Sequence, residues 1–260
     1  MDFLTGEILY IDKPLGWTSF DAVKRVRSAL TRRLGIKKLK VGHAGTLDPL
    51  ATGVMIVTTG RATKLIESLQ AGVKEYEATI ALGATTPSFD LETEIDATFP
   101  TEHITRKLVE QTLPRFTGRI SQVPPAFSAV KVDGHRAYHM ARKGREVELK
   151  PKILEIDLIE LLDYSPTQIK IRVVCSKGTY IRALARDIGE ALGSGGHLTA
   201  LRRTRVGTTE VAQCRTVDQT VDLSRNAPIE WPQWYLDQYP EKQSSPKVTN
   251  NPSPHHTDEA

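Results

Sequence analysis

The feature that most constrains the fold is a glycine-rich loop that runs directly into an apolar strand, between residues 41 and 57. The segment reads VGHAGTLDPLATGVMIV and holds three glycines, one proline and a single carboxylate, Asp48. Glycine reaches backbone angles that are closed to other residues, and Pro49 stiffens the chain just after Asp48. The pattern predicts a rigid loop that presents one acid, with the imidazole of His43 nearby. The alternative is a structural turn in which Asp48 caps local N–H groups.

The distribution of charge says more about partners than the total does. The 260 residues carry 35 Lys and Arg against 31 Asp and Glu, a net charge of only +4. Between Ala22 and Leu47, however, there are eight basic residues and no acid, and residues 131–152 hold seven bases and three acids. Arg202, Arg203 and Arg205 form a third cluster. Each cluster alone is typical of a solvated helix face, but three together favour a polyanion that touches several surfaces, such as a nucleic acid.

Cysteine usage and hydropathy indicate the compartment. The two cysteines, Cys175 and Cys214, show no C-x-x-C or Cys/His spacing. This favours a reducing environment and argues against a zinc site. The first residues lack a basic region typical of a secretory signal, and no apolar run approaches the length needed to span a membrane. We therefore expect a cytoplasmic protein with no bound metal and no membrane partner.

Periodicity predicts interspersed strands and helices. Thr18 or Ser19 precedes a helical stripe that ends at Gly35, and residues 74–84 alternate in the manner of a half-buried strand. Residues 153–162 and 168–175 are predicted strands, and a helix is predicted from Thr179 to Gly193. This irregular order favours an α+β domain built on a mixed β-sheet.

The last residues change in character. From Asp237 onward, prolines stand among Ser, Asn, Gln and His, without apolar periodicity. Trp231, Trp234 and Tyr235, just before this point, are apolar enough to dock on a core. The composition predicts a folded domain over 1–236 and a disordered tail over 237–260.

Four ordered motifs carry a resemblance to a known family. They are GEILYIDKP with Gly16 and Thr18-Ser19, GHAGTLDPLATGV, Lys74-Glu75-Tyr76, and CSKGTYIR over residues 175–182. Over residues 6 to about 225 the sequence resembles the TruB family of bacterial tRNA pseudouridine-55 synthases. The resemblance implies a pseudouridine synthase fold, a mixed sheet flanked by helices with a central active-site cleft. The resemblance also implies that 1–236 is the catalytic domain. Many relatives add a small C-terminal RNA-binding domain, which we expect to be absent here because few residues remain after residue 236.

The resemblance also implies an activity. Such enzymes isomerise uridine to pseudouridine at position 55 in the T-loop of tRNA, after flipping the base out of its stack. The N1–C1′ bond breaks and the base rejoins through C5, so no cofactor is expected, which agrees with the missing Walker and GxGxxG motifs. The resemblance assigns the essential carboxylate to Asp48, which either attacks C1′ or removes the 2′ proton. The expected partner is the T-stem-loop of tRNA, and the chain is expected to act as a monomer.

The other site residues also follow from the resemblance. Arg182 is expected to pair with Asp48, Tyr76 to stack on the target base, Tyr180 and Leu201 to enclose it, and His43 to contact the rearranged T-loop. Lys13 and Asp90 are expected to support the site, although the loop around Asp90 departs from the family pattern by losing one acid and a glycine. Contacts to the RNA backbone are expected from Arg142, Lys143, Arg145, Arg202 and Arg203.

Two other functions compete with this one. A tRNA-binding chaperone would fold the T-arm without catalysis, but every matched catalytic position is filled here. A phosphate-binding loop in a nucleotide enzyme would end in Lys-Ser/Thr and lead into a long helix, and the loop around Asp48 has neither feature.

Overall fold

A computed structural model describes residues 1–128, 130–132, 135–141 and 149–244. The predicted RNA contacts Arg142, Lys143 and Arg145 lie outside these residues, as does the end of the predicted tail from residue 245.

The secondary structure mixes strands and helices throughout the chain. The strands are β1 (Ile8–Lys13), β2 (Val41–His43), β3 (Ala51–Thr59), β4 (Lys74–Leu82), β5 (Ala84–Thr85), β6 (Ala97–Thr98), β7 (Gly118–Gln122), β8 (Lys131–Val132), β9 (His135–Arg136), β10 (Lys152–Ser165), β11 (Gln168–Cys175), β12 (Gly196–Val206), β13 (Thr209–Glu210) and β14 (Arg215–Thr216). The α-helices are α1 (Ser19–Leu34), α2 (Ile66–Ala71), α3 (Arg106–Thr112), α4 (Ala137–Ala141), α5 (Ile181–Ala191), α6 (Val217–Asn226) and α7 (Gln233–Gln238).

One large sheet organises the molecule. Its strand order is β14-β1-β3-β12-β4-β11-β10-β7, with β2 added beside β3 and β13 beside β12. The β1–β14 and β3–β12 pairs are parallel, whereas β1–β3, β4–β12 and β4–β11 are antiparallel. Hydrophobic clusters pack against this sheet, one beneath α1 and α6 and another beneath α3 and α5. The predicted α+β class with a mixed sheet is confirmed.

Helix α1 forms as its sequence predicts. Thr18 and Asp21 make a reciprocal capping box, which satisfies two of the free N–H groups at the start of the helix. Gly35 ends the helix in the left-handed conformation, with a φ of 62°. The buried stripe contains Val23, Val26 and Leu30, so the remaining faces are free to carry basic side chains.

Strand β12 was not predicted, although it lies at the centre of the sheet between β3 and β4. Its sequence, GHLTALRRTRV, holds three arginines and lacks regular alternation. The ladder with β4 also shifts register between Leu198 and Ala200 and again between Arg203 and Arg205. These irregularities remove the period-2 signal on which a strand prediction depends.

The C-terminal segment is ordered beyond the predicted domain boundary. Residue 236 falls inside α7, and a 3-10 turn follows at Pro240–Ser244. The ring of Tyr239 lies 4.7 Å from that of Tyr235, and Lys242 Nζ donates to the carbonyl of Leu34 at 3.1 Å. Residues 237–244 therefore differ from the predicted disordered tail, because they supply a donor to the open carbonyls at the end of α1.

In the described part of the chain, no helix combines the length and the apolar character that crossing a membrane requires.

Candidate active site

The Asp48 loop is fastened to α1 and to the chain that precedes it. Ser19, the first residue of α1, donates its hydroxyl to the carbonyl of Leu47 at 3.0 Å and accepts from the N–H of Leu47 at 2.9 Å. The N–H of Gly16 donates to the carbonyl of Pro49 at 2.8 Å. The loop is therefore held on both sides of Asp48. Thr18 makes the helix cap, which leaves Ser19 free for this contact.

Arg203 holds the same loop from β12. Its Nε donates to the carbonyl of Val54 at 2.7 Å, and its two terminal nitrogens donate to the carbonyls of Gly45 at 3.2 Å and Thr46 at 3.4 Å. The residue is only 1% exposed. This placement argues against the predicted contact between Arg203 and RNA phosphates, because a buried guanidinium bound to three carbonyls is committed to the protein.

Arg202, its neighbour on β12, points the other way and is 41% exposed. It makes a bidentate pair with Asp12, at 2.7 and 3.1 Å. The predicted RNA contact of Arg202 stays a prediction.

Arg182 and Asp48 form the ion pair that the resemblance implies. Arg182 Nε lies 3.0 Å from Asp48 Oδ2 and 3.6 Å from Asp90 Oδ2. Its terminal nitrogens donate to the carbonyls of Ser88 at 3.2 Å and Phe127 at 2.8 Å. One buried guanidinium thus joins the Asp48 loop, the Asp90 loop and the segment before β8.

Opposing influences act on the Asp48 carboxyl. Its position in the cleft raises the pKa of Asp48 above the ordinary value by desolvation, and the nearby carboxyls of Asp90 and Glu92 add to this. The charge and the hydrogen bond of Arg182 lower the pKa again. The Asp48 side chain remains 39% exposed, so it is open to a ligand while its partner Arg182 is buried.

The Asp48–Arg182 pair lies in a cleft of about 620 Å³. Among the predicted site residues, the cleft is lined by Asp48, Tyr76, Tyr180, Arg182, Leu201 and Arg203. These residues come from the Asp48 loop, β4, the start of α5 and β12. The aromatic and apolar side chains suit a flat ring, and Lys74, Lys152 and Lys177, which also line the cleft, add cations that suit a phosphate backbone.

The two tyrosines of the cleft are held differently. Tyr76 is 7% exposed, and burial raises the pKa of its phenol, an effect that the neighbouring Arg203 opposes. Tyr180 is half-buried, and burial raises the pKa of its phenol. Gln122 fixes the Tyr180 backbone, accepting from its N–H at 2.9 Å and donating to its carbonyl at 3.2 Å. Gln122 was missed from the sequence, since nothing local marks it.

Lys13 and Asp90 are buried residues that contact the neighbours of Asp48, Lys13 through Pro49 and Asp90 through Arg182. Lys13 is fully buried, and its Nζ donates to the carbonyls of Pro14 at 2.8 Å, Trp17 at 2.6 Å and Pro49 at 3.4 Å. Burial lowers the pKa of Lys13 to about 8, although the charge of Asp48 acts in the opposite direction. Asp90 is 5% exposed and accepts from the N–H of Glu92 at 2.9 Å.

The loop before Asp90 contains an unusual backbone conformation. Phe89 is the one non-glycine residue with a positive φ, 62°, within the described ranges. The guanidinium of Arg186 lies 4.7 Å from the centre of the Phe89 ring. The carbonyl of Phe89 accepts from the N–H of Leu198 at 2.9 Å. A left-handed phenylalanine is strained, so this loop is held by its surroundings next to a site carboxylate. The sequence showed only that the region departs from the family pattern.

His43, which was predicted to contact the substrate, does not line this cleft. It ends β2 and is half-buried, and its Nδ1 has no hydrogen-bond partner among the described residues. Burial and the charge of Arg203 lower the pKa of His43 below the ordinary value. In the described ranges, no three His, Cys, Asp or Glu side chains are grouped so that they could hold a metal ion.

Comparisons with known proteins agree with this geometry. Residues 31–181 match the model of the TruB family pseudouridylate synthase (N terminal domain), and residues 182–239 match the tRNA pseudouridylate synthase B C-terminal domain. Proteins named tRNA pseudouridine synthase B from Bacteroides fragilis and Phocaeicola vulgatus are 71% and 68% identical over 214 and 218 residues. These alignments cover 82% and 84% of this chain, and 92% and 93% of the relatives.

Solved structures show the same fold at lower identity. A chain of the Cbf5-Nop10-Gar1 complex superposes with a TM-score of 0.64 at 28% identity, covering 93% of this chain. A chain of an H/ACA RNP bound to a substrate RNA containing 2′-deoxyuridine gives a TM-score of 0.61 at 25% identity, covering 94% of this chain. This chain spans only 58% and 57% of those solved chains, respectively. The two family models and the full-length relatives establish that the chain belongs to the TruB family of pseudouridylate synthases, which isomerise uridine to pseudouridine in tRNA.

Proposed function

We propose that this chain isomerises uridine 55 in the T-loop of tRNA and that Asp48 carries the reaction. The observation that supports this most directly is that the partly exposed Asp48 carboxylate lies 3.0 Å from the buried Arg182 guanidinium. A cation at this distance favours the ionised acid, and an ionised acid is needed whether it attacks C1′ or accepts the 2′ proton. The surrounding structure is compatible with both routes.

The cleft walls suit a base that has left its stack. Tyr76 and Leu201 offer aromatic and aliphatic surface beside Asp48, and Tyr180 adds a second ring. An extruded base loses stacking and pairing energy, and aromatic side chains can replace part of it. We infer that Tyr76 stacks on the target base while Tyr180 and Leu201 enclose it.

Supporting residues have separate roles in this proposal. Lys13 and Asp90 position the catalytic pair, the first through Pro49 and the second through Arg182. His43 ends β2, two residues before the cleft residue Gly45, and we infer that it contacts the T-loop. The proposed contacts to the RNA backbone are Arg202, Arg142, Lys143 and Arg145.

Because both described cysteines are free thiols, we also infer a reducing, cytoplasmic location.

Replacing Asp48 by Asn tests the assignment. We expect Asp48→Asn to lose essentially all turnover on both full-length tRNA and an isolated T-stem-loop, because an essential covalent or acid–base group is removed. Binding of tRNA should stay within roughly tenfold, since phosphate contacts carry most of the affinity. Pseudouridine formation would be measured at position 55, and filter binding would give the Kd.

The matched control is Asp163→Asn, an exposed carboxylate on β10. It should keep wild-type turnover and binding. Residual turnover of Asp48→Asn above about one per cent of wild type would show that another group does the chemistry. Gel filtration of the protein with one equivalent of tRNA would test the expected monomer at the same time.

A further inference from the structure

A second basic surface lies outside the cleft, between one face of α1 and the chain that leads into β2. Here the groove formed by Lys24, Arg27, Lys37, Lys38 and Lys40 is called the basic groove. It is open, has a volume of about 730 Å³, and is completed by Ser28, Thr31 and Leu39. Lys24, Arg27 and Thr31 lie one helical turn apart, so they form one stripe that faces the three lysines beyond the helix end.

The cations of this groove lie close together and have no carboxylate partners in the described part of the chain. Among the described residues, none of the five forms an ion pair with a carboxylate. Elsewhere on the surface, by contrast, Arg106 pairs with Glu110 at 2.8 Å and Lys170 pairs with Glu77 at 2.7 Å. Five cations lining one groove repel one another, and this cost is relieved when an anion enters.

The helix dipole explains other cations of α1 but not those that α1 contributes to the groove. Arg32 and Arg33 lie in the last turn of α1, where the helix dipole favours cations. Lys24 and Arg27 lie in the middle of the helix, before its last turn, where this effect is weak. Arg27 Nε is also buried without a hydrogen-bond partner in the part of the chain that the structure describes.

The groove leads towards Asp48. Arg27 donates from Nη2 to the carbonyl of Val41 at 2.8 Å, and Ser19 is bonded to Leu47 at 2.9 and 3.0 Å. Residues 41–47 therefore run along α1 between these two attachment points. Eight residues separate Ser19 from Arg27, which is about 12 Å of helix. A nucleic-acid strand covers such a distance within a few nucleotides.

We propose that the basic groove binds the phosphate backbone of the tRNA substrate, on the strand that continues out of the cleft. This proposal rests on the proposed function, because it assumes that the target nucleotide occupies the cleft. Four of the five cations are lysines, whose hydrated ammonium groups suit phosphates and carry little base specificity. The groove thus adds affinity and orientation without reading sequence.

The test compares two double variants that remove the same charge. Lys37→Gln/Lys38→Gln changes the groove, and Lys107→Gln/Arg225→Gln changes exposed cations on α3 and α6. All four side chains are exposed, so both variants should fold. Binding of full-length tRNA would be measured by filter binding from about 50 to 200 mM salt, a range over which phosphate contacts are resolved. The steady-state kcat at saturating tRNA would be measured alongside.

For the groove variant we expect the slope of log K against log salt to become shallower by about 0.7–0.9 for each phosphate that the protein no longer neutralises. Affinity at about 0.1 M salt should fall roughly fivefold to tenfold for each such phosphate. The control should stay within twofold of wild type, and kcat should be unchanged in both. A groove variant that matches the control in slope and Kd would overturn the proposal. If the wild-type chain itself fails to bind tRNA, it is the proposed function that fails.

Discussion

Arg182 and Arg203 show how two arginines of one cleft can do different work. Arg182 gives Asp48 its cation, and its other nitrogens bind the carbonyls of Ser88 and Phe127. Arg203 touches no described carboxylate and instead binds the carbonyls of Gly45, Thr46 and Val54. The sequence alone places both among basic residues, and only their contacts separate an electrostatic role from a scaffolding one.

Removing the Arg182 guanidinium should shift the pH dependence of catalysis. Burial raises the pKa of Asp48 and Arg182 opposes this rise, so in Arg182→Met the pKa of Asp48 should be higher still. In the proposed reaction activity needs the ionised carboxylate, so it is present above the pKa of Asp48 and is lost as the pH falls through that pKa. The acid limb of kcat/KM should therefore move to higher pH in Arg182→Met.

Arg182→Lys provides the matched control, since it retains a cation near Asp48 and should keep the acid limb closer to wild type. Stopped assays of pseudouridine formation across the acid range, with circular dichroism to confirm folding at each pH, give both profiles. Equal acid limbs in Arg182→Met and wild type would mean that this cation does not control the ionisation of Asp48.

At the scale of elements, prediction succeeded where one face of the element is buried. The apolar stripe of α1 and the alternation of β4 follow directly from burial on one side, so periodicity reveals both. Periodicity did not reveal strand β12, because some of its side chains bind loops and its ladder with β4 shifts register twice. The β3–β12 pairing, which brings Leu201 opposite Ala51, could not be predicted because it joins residues far apart along the chain.

The junction of β3 and β12 depends on a glycine. Gly53 has a φ of 104°, and a Cβ at this position would overlap the backbone of Arg203. We therefore expect Gly53→Ala to separate the strands, to disturb the neighbouring Asp48 loop, and to lower both stability and kcat. The cost should exceed the roughly 1–2 kcal/mol of a left-handed non-glycine residue, because backbone atoms also collide.

Gly16→Ala is the matched control, with a φ of 79° and no atom within 4 Å of the added Cβ. It should cost only the conformational penalty, about 1–2 kcal/mol. Urea unfolding of both variants gives the two free energies of unfolding. Equal losses in the two variants would show that the close approach of the strands contributes nothing.

For the whole molecule, the sequence predicted the fold class and drew attention to the Asp48 loop, but it did not predict how the residues of the cleft come together. The Asp48 loop was recognisable from its own glycines and proline. Arg182, read from the sequence alone, would have been an exposed arginine on a helix, and its pairing with Asp48 was implied only by the family resemblance. The ring contact of Tyr239 with Tyr235 and the bond from Lys242 to Leu34 were not predicted.

These last interactions change where the chain can be shortened. A chain ending at residue 236 cuts α7 and removes both the Tyr239 ring and the Lys242 bond, together worth about 1–2 kcal/mol. For a chain of this size, that corresponds to a fall in Tm of roughly 2–8 °C. A chain ending at 244 keeps both interactions.

Residues 245–260 hold three prolines and show no apolar periodicity, so their composition offers little apolar burial to offset the entropy cost of ordering them. We therefore expect the 1–244 chain to match full length in Tm and in turnover at subsaturating tRNA, and the 1–236 chain to melt measurably lower. Calorimetry on the three chains decides between these boundaries, and equal melting of the 1–236 and 1–244 chains would restore the boundary at 236.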